Sequence, residues 1–298
     1  MEGSHTAFHS IRELVDKARE QNIPISEVVL ADQQSELQLG HAELLRRMEE
    51  NLETMIAAVQ EGLKPGLRSN SGLTGGDAAR YRASCAASSM AGSFFDGLIY
   101  RALAVSELNA AMGRIVAAPT AGSCGIIPAV LLTYMQEKGA PKEQVALSLF
   151  TCAGVGMVIA QRASLSGAAG GCQAECGSAS AMAAAALAEL AGGTPEMAAS
   201  ACAVALKNVL GLVCDPVAGL VEVPCIKRNV MGAVNAAAAA NLALAGITSV
   251  IPADEVIDAM QAVGGQMPAD RKETAKGGLA ATPTACEIAR RLSERPQA

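Results

Sequence analysis

Aromatic residues are scarce in this sequence: they make up 2% of it, and tryptophan is absent. Because strands favour aromatic and β-branched side chains, this scarcity argues against a β-sheet protein. Charged residues are also few, at 17%, and the formal net charge is −6. No basic stripe with interleaved aromatics occurs, which argues against nucleic acid as a partner. The start, "MEGSHTAFHSIRELVDKAREQ", lacks the apolar core of a signal peptide, so we expect a cytoplasmic protein with reduced thiols.

Small and aliphatic side chains supply most of the hydrophobic residues, which make up 51% of the sequence. Alanine and leucine favour helices, and no segment alternates with the period of a strand, so we predict an all-α fold. Within "HAELLRRMEENLETMIAAVQEGL", Leu44, Met48 and Leu52 recur at helical spacing between charged residues. We therefore expect an N-terminal amphipathic helical extension over residues 1–63, packed on one large helical domain over residues 64–298.

One long stretch carries no charge. Residues 229–253 are numerous enough to cross a bilayer. They are mostly alanine, however, and include three amides that would be unfavourable in lipid: Asn229, Asn235 and Asn241. An apolar helix that does not lie in lipid lies at the centre of a protein. We therefore predict that this stretch forms a central, buried, Ala-rich helix and that the protein does not use a membrane as a partner.

Four polar or glycine-rich loops each lead into a helix: 64–77, 117–125, 164–177 and 214–229. The first turn of a helix has unpaired backbone N–H groups, which bind anions well. If the four loops converge, they form a pocket suited to a small carboxylate. The alternative is that glycine-rich loops simply connect closely packed helices.

Nine cysteines are present, and an odd number cannot pair completely within one chain. Cys85, Cys152 and Cys202 fall within apolar helical stretches, where a free cysteine is typical of core packing. Cys124 lies alone in a loop. The other loop cysteines have glycine, proline or acidic neighbours; they are Cys172, Cys176, Cys214 and Cys225.

The spacing of the loop cysteines suits zinc poorly. Structural zinc sites use two closely spaced pairs of ligands, whereas ten residues separate Cys214 from Cys225. The three histidines, His5, His9 and His41, all lie near the N-terminus. Iron–sulfur clusters tolerate more varied spacing. The spacing alone therefore leaves open both an iron–sulfur cluster and no metal.

Five unusual blocks of the sequence resemble one known family. They are "SNSGLTGGDA", "APTAGSCGIIPAVL", "GCQAECGSASAMAAAAL", "CDPVAGLVEVPCIKRN" and "KETAKGGLAATP". Together they resemble the α chain of the iron–sulfur-dependent bacterial L-serine dehydratases, from about residue 8 to about residue 283. The resemblance implies a lyase of amino-acid catabolism and gluconeogenesis that converts L-serine to pyruvate and ammonia. It also implies a β chain as partner.

The resemblance further implies a 4Fe–4S cluster as cofactor, and no pyridoxal phosphate. On the matching motifs, the three ligands would be Cys172 in "GCQ", Cys214 in "CDPV" and Cys225 in "VPCI". The fourth iron would stay open and act as a Lewis acid on the substrate hydroxyl. Cys176 is a weaker candidate ligand. Cys286 takes a position similar to that of the terminal cysteine that caps the open iron in single-chain relatives, the alternative being a helical core thiol.

No residue stands out as the catalytic base. Histidine is the commonest choice, but the histidines lie outside the matching blocks, so we expect the β chain to supply the base. The local alternatives are Lys207, Lys227, Glu175 and Glu222. The candidate substrate binders are loop hydroxyls, one amide and one guanidinium: Ser69, Asn70, Ser71, Thr120, Ser123 and Arg228.

Several other functions remain open at this point. The same open iron would suit an L-cysteine desulfidase, because thiol and hydroxyl substrates differ by one atom. An electron-transfer or sensory iron–sulfur protein would have a fourth ligand, such as Cys176. A purely structural helical subunit would bind no iron. A pyridoxal-phosphate dehydratase is disfavoured, because its chemistry is normally carried on an α/β fold.

Overall fold

A computed structural model describes residues 8–90 and 92–294 of the chain. Across these ranges the chain forms α-helices and short turns, with no strand, so the all-α prediction is confirmed. The helices are α1 Ile11–Gln21, α2 Ile25–Leu37, α3 His41–Gly62, α4 Asp77–Ser88, α5 Gly92–Ala110, α6 Ile126–Lys138, α7 Lys142–Arg162, α8 Gly167–Gly170, α9 Ser178–Leu190, α10 Pro195–Lys207, α11 Cys225–Leu244, α12 Ala253–Gln266 and α13 Pro283–Ser293.

Helix α9 is the central, buried, Ala-rich helix. Every residue from position 178 to position 188 is buried, and seven of these eleven are alanine. Helices α6, α7, α10 and α11 pack around it. Because alanine side chains are short, four helices can approach one axis closely without large side chains between them. The few aromatic residues of the sequence thus agree with a core in which closely packed helices, and not large side chains, fill the space.

The uncharged stretch 229–253 differs from its prediction. Its helix, α11, begins earlier, at Cys225, and ends at Leu244, well before residue 253. One face packs on α9, while Asn241 and Leu242 are exposed, so α11 is not surrounded. Within the described ranges, one helix has the length and composition to cross a membrane; this is α7, and 67% of its apolar window is buried inside the fold.

The N-terminal helices share one core with the rest of the described chain. Helix α2 packs on α7, and half-buried Glu189 of α9 accepts hydrogen bonds from the backbone N–H of Ser26 at 3.3 Å and from the Thr151 hydroxyl at 2.7 Å. Burial raises the pKa of Glu189. The division into an extension over 1–63 and a catalytic domain over 64–298 stays a prediction, since a shared core does not define a boundary.

Two predicted helix features are confirmed. Helix α3 is amphipathic as expected, with Leu44 and Leu52 buried. Helix α10 begins as the sequence predicts, because the Thr194 hydroxyl accepts a hydrogen bond from the backbone N–H of Met197 and Pro195 occupies the first turn. That cap satisfies one of the N–H groups that a helix start leaves unpaired.

Helices α3 and α5 approach each other closely at Gly62. A Cβ atom added there would overlap the backbone carbonyl group of Ala104, and that neighbour cannot rotate away as a side chain would. By contrast, a Cβ added at Gly265, near the end of α12, would meet no atom within 4 Å. Alanine substitutions at these two glycines therefore distinguish the effect of helix packing from that of helix propensity.

We expect Gly62→Ala to destabilise the protein by about 1–3 kcal/mol, because α3 must move away from α5. Gly265→Ala should instead stabilise it by about 0.5–1 kcal/mol, since alanine is the better helix former. Urea unfolding followed by circular dichroism measures both changes. Equal effects of the two substitutions would contradict the close approach described here.

Candidate functional site

The structure brings the four predicted loops together. The Thr74 hydroxyl of loop 64–77 donates to Glu222 of loop 214–229 at 2.5 Å. In loop 117–125, the Thr120 hydroxyl donates to Glu175 of loop 164–177. Asn229 of loop 214–229 also donates to the Gly122 carbonyl of loop 117–125 at 2.7 Å, so the four loops are linked. The sequence left this convergence open beside the alternative of plain connections.

Cys172 follows a glycine pair that lets the chain pass close to its neighbours. Gly171 has a φ of +77°, and a Cβ there would lie 2.9 Å from the carbonyl oxygen of Leu212. Gln173, the residue after Cys172, is fully buried. Its backbone N–H donates to the same Leu212 oxygen at 3.0 Å, and its side-chain oxygen accepts from the Gly211 N–H at 2.9 Å. These bonds place the Cys172 segment beside the chain that leads to Cys214.

Cys214 is held by the segment after α12. Its N–H donates to the carbonyl of Arg271, and its carbonyl accepts from the N–H of Glu273, both at 2.9 Å. A short parallel bridge with Lys272 results. The C-terminal block "KETAKGGLAATP" thereby fixes the position of this thiol.

Cys225 begins α11, and Asn229 one turn later connects it to loop 117–125. The buried Asn229 amide donates to the carbonyls of Cys225 at 3.0 Å and Gly122 at 2.7 Å, and it accepts from the N–H of Gly125 at 2.9 Å. One side chain thus satisfies three backbone groups on two segments. It sets where the Cys225 thiol lies relative to the Thr120 loop.

The three thiols are buried and lie within electrostatic reach of one another. Burial, and then the charges of Cys172 and Glu175, raise the pKa of Cys225 to about 12. Burial, and then charges that include Cys172 and Cys225, likewise raise the pKa of Cys214. The pKa of Cys172 is lowered, by a hydrogen bond with Cys176 and by the positive charge of Arg228, against the effect of burial. Every pair among the three cysteines interacts.

A buried ion pair stands beside these thiols. Arg228 Nη2 lies 2.8 Å from Asp215 Oδ1, and Arg228 Nη1 donates to the carbonyl of Val213 at 2.8 Å. The charge of the guanidinium also lowers the pKa of the Cys172 thiol. Asp215 Oδ2 accepts from the backbone N–H of Leu279 at 2.7 Å. Arg228 therefore contacts the segments of two candidate ligands and is engaged with protein atoms, so its role as a substrate binder stays a prediction.

The remaining cysteines divide into several environments. Cys152 and Cys202 are buried in helices, as predicted, whereas Cys85 is half-buried. Buried Cys124 lies in loop 117–125, and burial raises its pKa to about 12. Cys176 is buried against Cys172. Cys286 is exposed on α13, which overturns the alternative that it is a core thiol.

Apart from Arg228, the predicted substrate binders lie in two of the converging loops. Ser69 is buried, and its hydroxyl lies 3.2 Å from that of Ser71, while Asn70 is exposed. Fully buried Ser123 lies 3.1 Å, oxygen to oxygen, from the Thr120 hydroxyl. Both loops present hydroxyl groups. Their contact with a substrate is untested and stays a prediction.

The local candidates for the base differ in placement. Buried Glu175 lies among the thiols, burial raises its pKa, and Gly122 packs against its carboxylate. Glu222 is also buried and accepts from Thr74. Lys227 is exposed and paired with Asp77, and Lys207 donates to Ser249 in the connection between α11 and α12. The lysines are thus engaged away from the thiols.

Two histidines are described, and both contact other parts of the surface. His9 Nδ1 lies 3.0 Å from the side-chain oxygen of Gln161. His41 Nε2 lies 3.6 Å from a carboxylate oxygen of Glu27. His5 lies outside the described residues. Neither described histidine contacts the thiol loops.

The thiols do not form a compact site for a single metal ion. Over residues 8–90 and 92–294, no three His, Cys, Asp or Glu side chains gather closely enough to hold one metal ion. A cluster has a wider requirement, since each thiolate binds a different iron. Three buried thiols on three backbone segments, with a guanidinium beside them, form a sulfur donor set suited to an iron–sulfur cluster.

The fold and the site define an all-α protein whose loops collect buried thiols at the ends of core helices. Residues 20–280 match the family model described as "Serine dehydratase alpha chain", and the chain belongs to that family.

Named relatives agree with this family assignment. The chain is 51% identical to the "Probable L-serine dehydratase, alpha chain" of Bacillus subtilis (strain 168), with 96% of this chain and 95% of that protein covered. It is 42% identical to the "L-serine dehydratase, alpha chain" of Peptoniphilus asaccharolyticus, at 95% and 97% coverage. The "L-serine dehydratase" of Streptomyces coelicolor is longer: the match, at 40% identity, covers 94% of this chain and 62% of that protein.

Sequence reasoning missed two residues that organise the site, Asp215 and Asn229. Both stand inside the quoted block "CDPVAGLVEVPCIKRN", next to or one turn away from a cysteine. The sequence signal that could have indicated them is a carboxylate and an amide this close to the candidate ligands. Their partners, Leu279 and Gly122, are distant in sequence and could not be found from spacing.

We expect Asn229→Ala to destabilise the protein by about 2–4 kcal/mol, because it leaves buried backbone groups of Gly122, Gly125 and Cys225 without their partner. Asn241→Ala is the matched control on the same helix: Asn241 is exposed and hydrogen-bonds the Ala237 carbonyl of its own helix. That change should cost no more than about 0.5 kcal/mol. Anaerobic urea unfolding compares the two, and similar losses would refute the role given to Asn229.

Proposed function

We propose that this chain is the α chain of an L-serine dehydratase, which converts L-serine to pyruvate and ammonia. The observation that carries the proposal is that Cys172, Cys214 and Cys225 are each buried, on segments joined by backbone hydrogen bonds and by the Arg228–Asp215 ion pair. The names of the relatives, which cover nearly the whole chain, support the substrate. We propose the cytoplasm as the location, in keeping with free thiols.

We assign Cys172, Cys214 and Cys225 as the three protein ligands of a 4Fe–4S cluster. When bound, such a cluster would supply an open iron that acts as a Lewis acid on the substrate hydroxyl. The chain's contribution is to hold the three thiols from independent loops. Arg228 and Asp215 fix two of the segments, and the positive charge of Arg228 favours the thiolate of Cys172.

The remaining loop residues would bind the substrate. Hydroxyls of Ser69, Ser71, Thr120 and Ser123 would donate hydrogen bonds to the serine carboxylate, as would backbone N–H groups of the same loops. The burial of Ser69 and Ser123 supports this, because water competes less for a buried donor. The thiols and these hydroxyls lie in converging loops, so one small molecule could contact both.

The proton acceptor would come from the β chain. The contacts of His9 and His41 with Gln161 and Glu27 support this, as does the engagement of Lys207 and Lys227 with other residues. The remaining local candidates are Glu222 and, among the thiols, Glu175. The Glu175 carboxylate accepts from Thr120 and lies beside Gly122, next to the proposed substrate hydroxyls.

Replacing each assigned ligand should remove the metal. After anaerobic purification we expect Cys172→Ala, Cys214→Ala and Cys225→Ala to lose bound iron and sulfide and to make no pyruvate with a β chain present. The control is Cys202→Ala, a buried thiol within α10, which should keep both. Exposure of the native protein to air should bleach the brown colour and the activity together. Full activity in Cys214→Ala would count decisively against the ligand set.

Whether Cys176 is a cluster ligand distinguishes a dehydratase from an electron carrier. Three protein ligands leave one iron for substrate, whereas a fourth thiolate would close the cluster. We expect Cys176→Ala to keep its iron and to retain a cluster spectrum that changes on addition of serine. If that variant lost iron as completely as Cys172→Ala, Cys176 would be a ligand and the dehydratase mechanism would fail. The rates of turnover of cysteine and of serine are measured side by side, and turnover of cysteine would indicate a desulfidase.

The source of the base is tested by adding the β chain. We expect the purified α chain, with its cluster intact, to form no measurable pyruvate until a β chain is added. Iron content before and after addition shows that the cluster is unchanged. Pyruvate formation by the α chain alone, at the rate of the complex, would place the base in this chain and make Glu175 the first residue to replace.

A further inference from the structure

A cavity of about 250 Å³ lies between α3, α4, α5 and α6, on residues that the proposed reaction does not use. Its polar lining consists of Gln60, Arg82, Tyr100, Arg101 and Gln136. The rest is aliphatic and includes Val59 of α3 and Leu132 of α6. No aspartate or glutamate lines it, although acidic residues outnumber basic ones in the chain as a whole.

Arg101 is a buried cation without a carboxylate partner. It is 5% exposed, and none of the described carboxylates lies within 4 Å of it. Its Nη1 donates to the Thr133 hydroxyl at 3.0 Å and its Nη2 donates to the side-chain oxygen of Gln136, both neutral acceptors. Glu137 acts on it only at longer range and accepts from Ser93. A buried guanidinium is normally paired, so a negative charge is missing.

A second cation reinforces this imbalance. The guanidinium carbon of Arg101 lies 4.6 Å from the centre of the Tyr100 ring, and that of Arg82 lies 5.6 Å from the same centre. Burial lowers the pKa of Arg101, the charges of Tyr100 and Glu137 raise it, and the charge of Arg82, the smallest of these effects, lowers it. Two guanidinium groups that share one ring and repel each other would both gain from an anion placed between them.

We propose that this cavity binds a small organic carboxylate with an apolar tail. Arg82 and Arg101 would bind the carboxylate, and Gln60 and Gln136 would supply further polar contacts. The aliphatic wall of Val59 and Leu132 would take the tail, which distinguishes this ligand from an inorganic anion. Each guanidinium group presents its N–H donors in the planar fork that matches the two oxygens of a carboxylate.

The test uses the purified full-length chain and measures the melting temperature during titration with isovalerate. Chloride is exchanged so that ionic strength stays constant. We expect isovalerate at ten times its Kd to raise Tm by about 2–4 °C. Acetate and inorganic phosphate, at the same concentration, should raise it less. An equal rise with all three anions, or a larger rise with phosphate, would overturn the proposal.

Variants decide whether the cavity is the site. Arg82→Gln, on the exposed side of α4, should weaken isovalerate binding at least tenfold, and Arg101→Met should abolish it. Arg46→Gln is the control, an exposed arginine of α3 paired with Glu43 and Glu50, and should bind as the native chain does. If Arg101→Met fails to fold, Arg82→Gln decides alone. Native affinity in Arg82→Gln would refute the site.

Discussion

The Arg228–Asp215 ion pair and the Asn229 amide hold the thiol loops in one place. A loop buried among helices carries backbone N–H and C=O groups that water cannot reach, and each needs a partner. Arg228 satisfies the Val213 carbonyl, Asp215 satisfies the Leu279 N–H, and Asn229 satisfies groups of three further residues. The polar side chains of the site therefore provide hydrogen-bond partners that water would otherwise provide to the backbone. Any chemistry of the thiols depends on these hydrogen bonds, because they hold the loops in place.

Close packing of small residues makes this arrangement possible. Helix α9 is mostly alanine, and the helices around it approach closely enough that their connecting loops end near one another. Glu107 of α5 shows the effect at loop 64–77. Its buried carboxylate accepts from the N–H groups of Gly76, Asp77 and Ala78, and so attaches the start of α4 to the core. The same packing that excludes water thus positions loops far apart in sequence.

Local signals predicted the helices, whereas the convergence of the loops was left open beside the alternative of plain connections. The start of α10 at Thr194 and the apolar face of α3 follow from short-range chemistry, which sequence shows directly. The extent of α11 was misjudged, because an uncharged stretch does not reveal that Asn241 and Leu242 face solvent. The partners of Arg228 were missed for a related reason: Val213 and Asp215 approach it only through the folded path of loop 214–229. The exposure of Cys286 likewise depends on how α13 packs, which no pattern within the helix reports.

Helix α5 connects the thiol region with the cavity between α3 and α6. Arg101 and Glu107 stand six residues apart on it, a separation of about 9 Å along a helix axis. Glu107 fixes the start of α4, and Arg82, on α4, shares the Tyr100 ring with Arg101. An anion that joined Arg82 to Arg101 would therefore tie together the two helices that already hold loop 64–77, whose Thr74 hydroxyl contacts Glu222. The cavity and loop 64–77 therefore belong to one packed unit, joined through α4 and α5.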